Sequence, residues 1–348
     1  MSKAENIIVG ISIGDLNGIG GEIILNTFED ERVFDFCTPV VFASIKVMNF
    51  LTSHFNSEIT LNSCNHLNQI KEGQLNVYNV WKEPFEINFG KEDLKSGEYA
   101  IKSLEAATAA LKNEGIDVLL TAPISKKTIQ SDTFKFPGHT DYLAQQLGGN
   151  SLMFMITDTL RVGLLTDHVA VKDVSKAITP KLIQDKIDTV YESLKRDFGI
   201  ERPKIAVLGI NPHTGDSGVI GTEDDDTLRP TLQKIKESGK LVFGPYAADS
   251  FFGSNNYKNF DAIIASYHDQ GLIPFKTLSF GRGVNYTAGL TRVRTSPDHG
   301  TAFEIAGKGE ADNNSFKEAL FAGIHIFKQR KEYEELTANP LKKRSKKG

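Results

Sequence analysis

The sequence predicts an α/β fold built on a mainly parallel sheet. Short apolar runs rich in β-branched residues alternate with helical patterns almost throughout, which is typical of βαβ units. The chain has 348 residues, enough at about 150 residues per domain for two domains or one large two-lobed unit. No internal repeat and no Gly/Ser-rich linker marks a boundary between lobes, so composition alone does not divide the chain.

The first half of the chain shows this alternation from its start. Residues 7–13 form an apolar run that predicts a strand, and the glycine-rich turn GDLNGIGGE leads from it into a helix at 22–28. The clearest helix covers 95–115, where apolar residues recur at steps of three and four before Gly115 ends the pattern. The other predicted elements here are strands at 39–43 and 118–121 and a helix at 45–55.

The second half repeats the same alternation. Thr222 precedes four acidic residues, and this predicts a helix start, because acidic side chains suit the positive end of the helix dipole. The other predicted elements are strands at 152–156, 161–165, 204–209 and 262–266 and helices at 180–198 and 314–328. The final segment, LKKRSKKG, predicts a solvated basic tail, which we place at 331–348.

Composition favours a cytoplasmic protein and argues against nucleic-acid and membrane partners. The chain has 40 Lys and Arg against 44 Asp and Glu, a formal charge of −4. No stretch approaches the roughly 18 consecutive apolar residues that a membrane span requires, and the first residues lack the pattern of a secretory signal. Two cysteines, Cys37 and Cys64, are too few for a disulfide framework, so we expect two unpaired thiols.

Three histidines each follow a predicted strand. His168, His213 and His268 come shortly after the strands that end at 165, 209 and 266. In open α/β sheets, ligands bind beyond the carboxyl ends of the strands. Three imidazoles with an open position form a catalytic arrangement for Zn²⁺ or another divalent first-row metal. Any one of these histidines alone is more often a structural residue, so only their shared position favours a metal site.

Other polar residues suggest an anionic substrate. His139 and His299 lie in loops that lead toward helices, where backbone N–H groups can face an anion. Cationic and amide side chains follow His268 closely, and this cluster suits a phosphate ester, although basic loops are usually only solvated: Lys276, Arg282, Asn285, Arg292 and Arg294. The turn GDLNGIGGE matches neither the P-loop nor the Rossmann spacing. We interpret His54, His66 and His325 as structural.

Nearly the whole chain resembles the 4-hydroxythreonine-4-phosphate dehydrogenase (PdxA) family. The matching blocks run in family order over roughly residues 7–330: GDLNGIGGE, TAPISK, FPGHTDYLA, DHVAVKDV, GINPHTGDSG, GPYAADS, DAIIASYHDQGLIPFK and FGRGVNYTAGLTRVRTSPDHGTAFEIAGKGEAD. The resemblance implies a two-lobed α/β/α sandwich of the isocitrate and isopropylmalate dehydrogenase type. It implies one catalytic unit over 1–330, with lobes of approximately 1–140 plus 300–330 and 141–299, and a homodimer with the active site at the interface.

The resemblance also assigns roles to individual residues. The family's metal ligands match His168, His213 and His268, and the metal could be Zn, Co, Mg or Mn. The substrate-contacting positions match His139, Thr140, Lys276, Asn285 and Arg294, and acidic positions of the family site match Asp249 and Asp269. The segment after Pro297 resembles the cofactor loop of the wider superfamily, which implies contacts to the adenosine of NAD, or of NADP as the alternative, from His299, Gly300, Thr301 and Ala302.

The implied activity is NAD-dependent oxidation of 4-phosphohydroxy-L-threonine, with decarboxylation to 3-amino-2-oxopropyl phosphate, in vitamin B6 biosynthesis. Lys276, Asn285 and Arg294 would hold the anionic groups of the substrate, and Lys276 is also a candidate catalytic residue. Asp269 has two open roles: it could accept a proton, or it could orient the metal-binding imidazole beside it.

Two departures from the family pattern leave the substrate open. The usual GDPAGIGPE reads GDLNGIGGE here, which changes backbone stiffness at Leu16, Asn17 and Gly21. The usual TGPVHK reads TAPISK, which removes a side chain near the substrate mouth. The alternatives are therefore a dehydrogenase of a phosphorylated four-carbon acid sugar such as threonate or erythronate 4-phosphate, a metal-dependent lyase or phosphatase without NAD, and a catalytically silent binding protein.

Overall fold

The computed structural model describes residues 6–131, 134–136 and 138–339. Their strands join in one sheet of 12 strands. In chain order these strands are β1 Ile8–Ser12, β2 Thr38–Ala43, β3 Leu61–Cys64, β4 Leu75–Asn79, β5 Val118–Thr121, β6 Gly149–Ile156, β7 Arg161–Leu164, β8 Lys204–Leu208, β9 Leu241–Tyr246, β10 Ala262–Ala265, β11 Val284–Leu290 and β12 Val293–Pro297. Their order across the sheet is β3-β4-β2-β1-β5-β12-β11-β6-β7-β10-β8-β9.

Helices cover both faces of this sheet. The α-helices of the described residues are α1 Gly20–Phe28, α2 Ile45–His54, α3 Leu94–Lys112, α4 His139–Leu147, α5 Val174–Ala177, α6 Pro180–Arg196, α7 Arg229–Glu237, α8 Ala248–Gly253, α9 His268–Ser279 and α10 Asn314–Thr337. In β2, Val41 and Ala43 belong to one apolar cluster, whereas Val40 and Phe42 belong to another. Because successive side chains of a strand point to opposite faces, both faces are buried, and the predicted α/β class is confirmed.

The sheet is parallel on both flanks and antiparallel in its middle. Strands β1 to β5 pair in parallel, and so do β7, β10, β8 and β9. Strand β6 pairs antiparallel with both β7 and β11, and β11 pairs antiparallel with β12. The connections from β6 to β7 and from β11 to β12 are too short for a crossover, so only antiparallel pairing can close them. The prediction of a mainly parallel sheet is therefore confirmed, and the antiparallel pairings of the described strands are confined to this middle segment.

The two most regular helices begin where the sequence supplies a cap. The side chain of Asp93 accepts a hydrogen bond from the backbone N–H of Lys95 at 3.0 Å, and α3 begins at the next residue after Asp93. The hydroxyl of Thr179 accepts from the N–H of Leu182 at 3.2 Å before α6. Each side chain pairs one of the amide groups that a helix start leaves without a partner. The predicted helices at 95–115 and 180–198 are thus confirmed to within a few residues.

The last helix is longer than predicted. Its apolar pattern weakens after 328, yet α10 continues to Thr337, through residues that we assigned to the tail. Arg330 explains the extension, because its Nε donates to the buried carboxylate of Asp197 at 2.6 Å and its Nη2 to the hydroxyl of Tyr286 at 2.8 Å. The ion pair between Arg330 and Asp197 therefore holds the end of α10 in place, although the local sequence there is polar. The terminal LKKRSKKG lies outside the described residues.

Strands at or next to the edges of the sheet escaped prediction, and so did the central strands β11 and β12. Strands β3 and β4 have the sequences LNSC and LNVYN, which are short and polar, and β9 contains Gly244 and Pro245. Both cysteines are free and buried, as predicted, and burial raises the pKa of the Cys37 thiol to about 12. Among the helices of the described residues, none combines the length and the apolar character that crossing a membrane demands.

Candidate active site

A cavity of about 300 Å³ opens at the carboxyl edge of the sheet. Its walls come from the residues that follow β5, β7, β10 and β12 and from the central strands β6 and β11. The predicted site residues that line it are His139, Thr140, His168, His268, Lys276, Asn285, Arg294, His299 and Gly300. A larger cavity of about 770 Å³ lies where β6 ends and β7 begins, and Arg282 of the predicted cationic cluster lines it, but none of the residues matched to the family's metal, substrate or cofactor positions does. The smaller cavity is therefore the candidate active site.

Arg294 is a fully buried cation without an acidic partner. It is 1% exposed, and burial lowers the pKa of its guanidinium to about 9. Its Nη1 donates to the Thr287 hydroxyl at 3.0 Å and its Nη2 to the Thr121 hydroxyl at 2.5 Å, while its Nε has no partner. A buried charge is costly unless it is paired. The arrangement therefore suits an anion that enters the cavity and pairs with this guanidinium.

His139 lies beside Arg294 at the start of α4. Burial of its ring, together with the positive charge of Arg294, holds the pKa of His139 well below its ordinary value of 6.5. Its Nε2 is buried and has no hydrogen-bond partner among the described residues. A neutral imidazole in this position can donate or accept one hydrogen bond without adding a second positive charge. His139 is therefore suited to a ligand oxygen near Arg294.

The imidazoles of His168 and His268 come together at the cavity. Their ring centroids are 6.2 Å apart and the ring planes make an angle of 39°. The Nδ1 of His268 lies 2.7 Å from Oδ1 of Asp269, and this contact leaves Nε2 of His268 for a ligand. Asp269 does not line the cavity, and its contact resembles the carboxylate that orients a metal-binding histidine. The geometry favours the orienting role over that of a proton acceptor.

His213 does not join this pair within one chain. It lies in the turn after β8, where residues 213–217 all have positive φ values between 45° and 83°. Within the described ranges, no group of three His, Cys, Asp or Glu side chains is close enough to hold a metal ion. Asp249, on α8, is also absent from the cavity walls. One chain therefore presents two of the three predicted metal ligands together.

Lys276 lies in the cavity on α9, the helix that starts with His268. Its Nζ is 3.1 Å from Oδ1 of Asp298 and 3.2 Å from the backbone oxygen of the same residue. Burial raises the pKa of Asp298, although the neighbouring Lys276 charge opposes this effect. The Oδ1 of Asn285 on β11 is buried without a partner. The same cavity thus offers an ammonium, an amide and the Arg294 guanidinium, groups that suit an anionic substrate.

The predicted cofactor segment packs on the glycine-rich turn between β1 and α1. The N–H of Ile19 donates to the backbone oxygen of Thr301 at 3.1 Å, and a Cβ on Gly18 would lie 2.9 Å from that oxygen. The buried carboxylate of Glu22 accepts from the N–H of Ala311 at 2.7 Å, at the other end of the segment. GDLNGIGGE therefore has a positioning role that its motif spacing did not indicate: it holds the loop that contains His299 and Gly300.

Only part of the cationic cluster predicted after His268 lines the cavity. Arg292 pairs with Glu114 at 2.6 Å, and Arg282 lines the larger cavity, so neither lines the site. Conversely, the cavity contains one cation that the motifs did not select: Lys126, the last residue of TAPISK. The available signal was its position five residues after the end of a buried strand, at the carboxyl edge. Such a position is common for solvated lysines, so it did not distinguish Lys126 from its neighbours.

An α/β protein with a cationic cavity and paired imidazoles at the carboxyl edge belongs to the class of enzymes that bind small anionic substrates there. Comparison with known proteins specifies the family. The family described as "Pyridoxal phosphate biosynthetic protein PdxA" matches residues 35–322. The 4-hydroxythreonine-4-phosphate dehydrogenase of Bacteroides thetaiotaomicron is 44% identical over 98% of this chain and 94% of that protein. The chain therefore belongs to the PdxA family, as its motifs implied.

Two further relatives define the range of similarity. The D-threonate 4-phosphate dehydrogenase of Cupriavidus necator is 36% identical over 93% of this chain and 98% of that protein. The crystal structure of a 4-hydroxythreonine-4-phosphate dehydrogenase from Burkholderia phymatum matches with a TM-score of 0.77 and 34% identity, over 92% of this chain and 98% of that one. The range matched by the family, residues 35–322, contains every residue that lines the cavity.

Proposed function

We propose that the protein is an NAD-dependent, divalent-metal-dependent dehydrogenase that oxidises 4-phosphohydroxy-L-threonine, with decarboxylation to 3-amino-2-oxopropyl phosphate, in vitamin B6 biosynthesis. The observation that carries the proposal is the buried guanidinium of Arg294, which has no acidic partner. It lines the same cavity as the paired imidazoles and the loop that contains His299. The relatives named as 4-hydroxythreonine-4-phosphate dehydrogenases support the choice of substrate.

The chain's own groups hold the substrate in this proposal. Arg294 and the neutral ring of His139 bind one anionic group in the depth of the cavity, where a charge-assisted hydrogen bond is strong. Thr140 and the unpartnered amide oxygen of Asn285 bind neutral or donor groups of the substrate. The Lys276 ammonium, held by Asp298, binds a second anionic group or supplies a proton from Nζ when carbon dioxide has left. This set aligns the reacting alcohol beside His168 and His268.

The imidazole set fits a divalent metal in part. His168 and His268 would hold the ion from one chain, and a bound divalent metal would lower the pKa of the alcohol and would draw charge from the ketone. His299, Gly300, Thr301 and Ala302 would hold NAD, which accepts the hydride. The buried, unpartnered Nε2 of His299 and the open space at Gly300 are consistent with a ligand in this position.

A second copy of the chain would complete the metal site with its own His213. Large apolar side chains are exposed in the segments that follow the three histidines, which is the character expected of a homodimer interface: Val169 at 38%, Val171 at 77%, Val219 at 82%, Ile220 at 48% and, on α9, Ile273 at 63%. In a two-fold dimer, each copy would then contribute to both sites. The proposal therefore includes a homodimer with its active site at the interface.

Mixed dimers test this arrangement. Two chains with different affinity tags, one His213→Ala and one His268→Ala, would form a heterodimer with one intact ligand set, and we expect about half of the wild-type activity. The control heterodimer, His168→Ala with His268→Ala, has no intact set and should be inactive. If both heterodimers are inactive while each folds as a dimer, the three ligands come from one chain and the shared site is wrong.

Formation of NADH tests the reaction. Wild-type protein with metal, NAD and 4-phosphohydroxy-L-threonine should form NADH and carbon dioxide, and the same assay with NADP measures the cofactor preference. The second candidate substrate is D-threonate 4-phosphate, favoured by the 36% identical relative from Cupriavidus necator. Turnover of that substrate alone would replace the first choice. Product without NADH would indicate a lyase, and turnover of neither substrate would contradict the dehydrogenase proposal.

A further inference from the structure

Lys126 is held at the mouth of the cavity by a fixed turn after β5. The hydroxyl of buried Thr128 donates to Asp15 at 3.1 Å and to the backbone oxygen of Ser125 at 3.2 Å. The N–H of Asp15 donates to the backbone oxygen of Pro123 at 2.9 Å. These bonds set the direction of the chain on both sides of Lys126, whose side chain lines the cavity.

The next residue, Lys127, has the same charge but a different environment. Its Nζ pairs with the carboxylate of Glu92 at 2.5 Å, and it does not line the cavity. Lys126 has no hydrogen bond or ion pair to any residue that the structure describes. The two adjacent lysines therefore differ in the one property that matters for a ligand: only Lys126 faces the site with an unpaired charge.

The charge balance of the cavity calls for an anion. Its described walls contain the cations Lys126, Lys276 and Arg294 but only one carboxylate, Asp298, and that carboxylate pairs with Lys276. Arg294 lies in the buried depth, whereas Lys126 is exposed at the rim. One compact anion bound in the depth of the cavity would pair with Arg294. The charge of Lys126 at the rim would then still lack an anionic partner. The rim therefore offers an ammonium with which a second anionic group of the bound molecules can pair.

We propose that Lys126 binds a phosphoryl group at the mouth of the active-site cavity. A lysine ammonium is a point charge that binds phosphate oxygens without a demand for planar geometry, which suits an exposed rim. The inference rests on the proposed function, since two phosphoryl groups would be present there: the phosphate monoester of the substrate and the pyrophosphate of the cofactor. The shared chemistry is phosphate recognition, and binding experiments separate the two sources.

Isothermal titration calorimetry on the full chain tests the assignment with three probes: inorganic phosphate, 4-phosphohydroxy-L-threonine and NAD. The variants are Lys126→Met and, as the matched control, Lys127→Met. We expect Lys126→Met to weaken the binding of inorganic phosphate and of one of the two biological ligands by about five- to tenfold, and Lys127→Met to leave all three nearly unchanged. Thermal unfolding of Lys126→Met should match that of the wild type, because Lys126 has no partner to lose. Lys127→Met should differ little, because it removes only an exposed ion pair with Glu92.

The pattern of losses identifies the source. A loss confined to the phosphorylated substrate assigns Lys126 to the substrate phosphate, and a loss confined to NAD assigns it to the cofactor pyrophosphate. No loss in Lys126→Met, or equal losses in the two variants, would overturn the proposal, because the effect would then be absent or would reflect general surface charge. Failure of the proposed reaction would appear separately, as wild-type protein that forms no NADH, while the titration with inorganic phosphate still decides the role of Lys126.

Discussion

Replacement of Arg294 by Met should make the ligand-free protein more stable and nearly inactive. The guanidinium is buried and has only two Thr hydroxyls as partners. Its burial lowers the pKa from 12.5 to about 9, which at about 1.36 kcal/mol per pKa unit corresponds to about 5 kcal/mol against the charged form. The hydroxyls and side-chain packing recover part of this cost. We therefore expect the free energy of unfolding to rise by about 1–3 kcal/mol in Arg294→Met.

The same substitution should remove the main anion contact of the site. Loss of one partner of a buried charge pair costs about 3–4 kcal/mol, so we expect kcat/KM for the phosphorylated substrate to fall by about 10²- to 10³-fold. The measurements are chemical denaturation without ligand and initial rates of NADH formation. Stability and activity should thus change in opposite directions, which loss of folding cannot produce.

Arg330→Met is the matched control, because Arg330 is also buried but has an acidic partner. The charges of Arg330 and Arg196 hold the pKa of the Asp197 carboxyl below its usual value, although burial alone would raise it. Removal of Arg330 leaves that carboxylate poorly compensated, and we expect a loss of about 3–5 kcal/mol in stability. Two results would contradict the assignment of Arg294 as an anion-binding cation without an acidic partner. One is that Arg294→Met destabilises the protein as much as Arg330→Met does, and the other is that it retains wild-type affinity for the substrate.

Two further predictions concern His139 and Gly18. The folded state keeps His139 neutral, whereas the unfolded chain binds a proton below about pH 6.5, so wild-type stability should fall between about pH 7 and pH 5. His139→Gln removes this contribution, and denaturation curves for the variant should show a weaker pH dependence; an equal dependence would contradict the burial of a neutral ring. Gly18→Ala places a Cβ 2.9 Å from the backbone oxygen of Thr301, so KM for NAD should rise about three- to tenfold with little change in KM for the substrate. Equal increases in both constants would show that the glycine-rich turn does not act through the cofactor loop.

Much of the fold could be predicted from local sequence, because the segments with the clearest hydrophobic patterns form regular helices and strands. The amphipathic helix α3 and the buried strand β5 match their predictions closely. Some of the elements that escaped depend on contacts distant in sequence. Strand β4, for example, carries the buried Asn76, whose amide donates to the backbone oxygens of Pro39 at 3.1 Å and Lys71 at 2.9 Å. Nothing in a short polar run indicates that its asparagine will bind a neighbouring strand.

The candidate site was predictable in position but not in the roles of individual cations. The rule that ligands bind at carboxyl ends of strands placed His168 and His268 at one edge, and the structure brings their rings together. Clustering along the chain could not separate Arg294 from Arg292, two residues apart, because only the fold shows which one is buried in the cavity and which one pairs with Glu114. The conformation of the turn that contains His213 could not be predicted either, because five consecutive residues with positive φ have no known sequence signature.

Arg294 also joins three strands of the sheet. From β12 it reaches Thr121 on β5, in the parallel flank, and Thr287 on β11, in the antiparallel middle. The residue that meets the incoming anion is therefore the same residue that spans the seam between the two parts of the sheet. A substitution at this seam would therefore alter strand pairing and ligand recognition together, whereas no residue of the outer strands β3 and β9 lines the cavity.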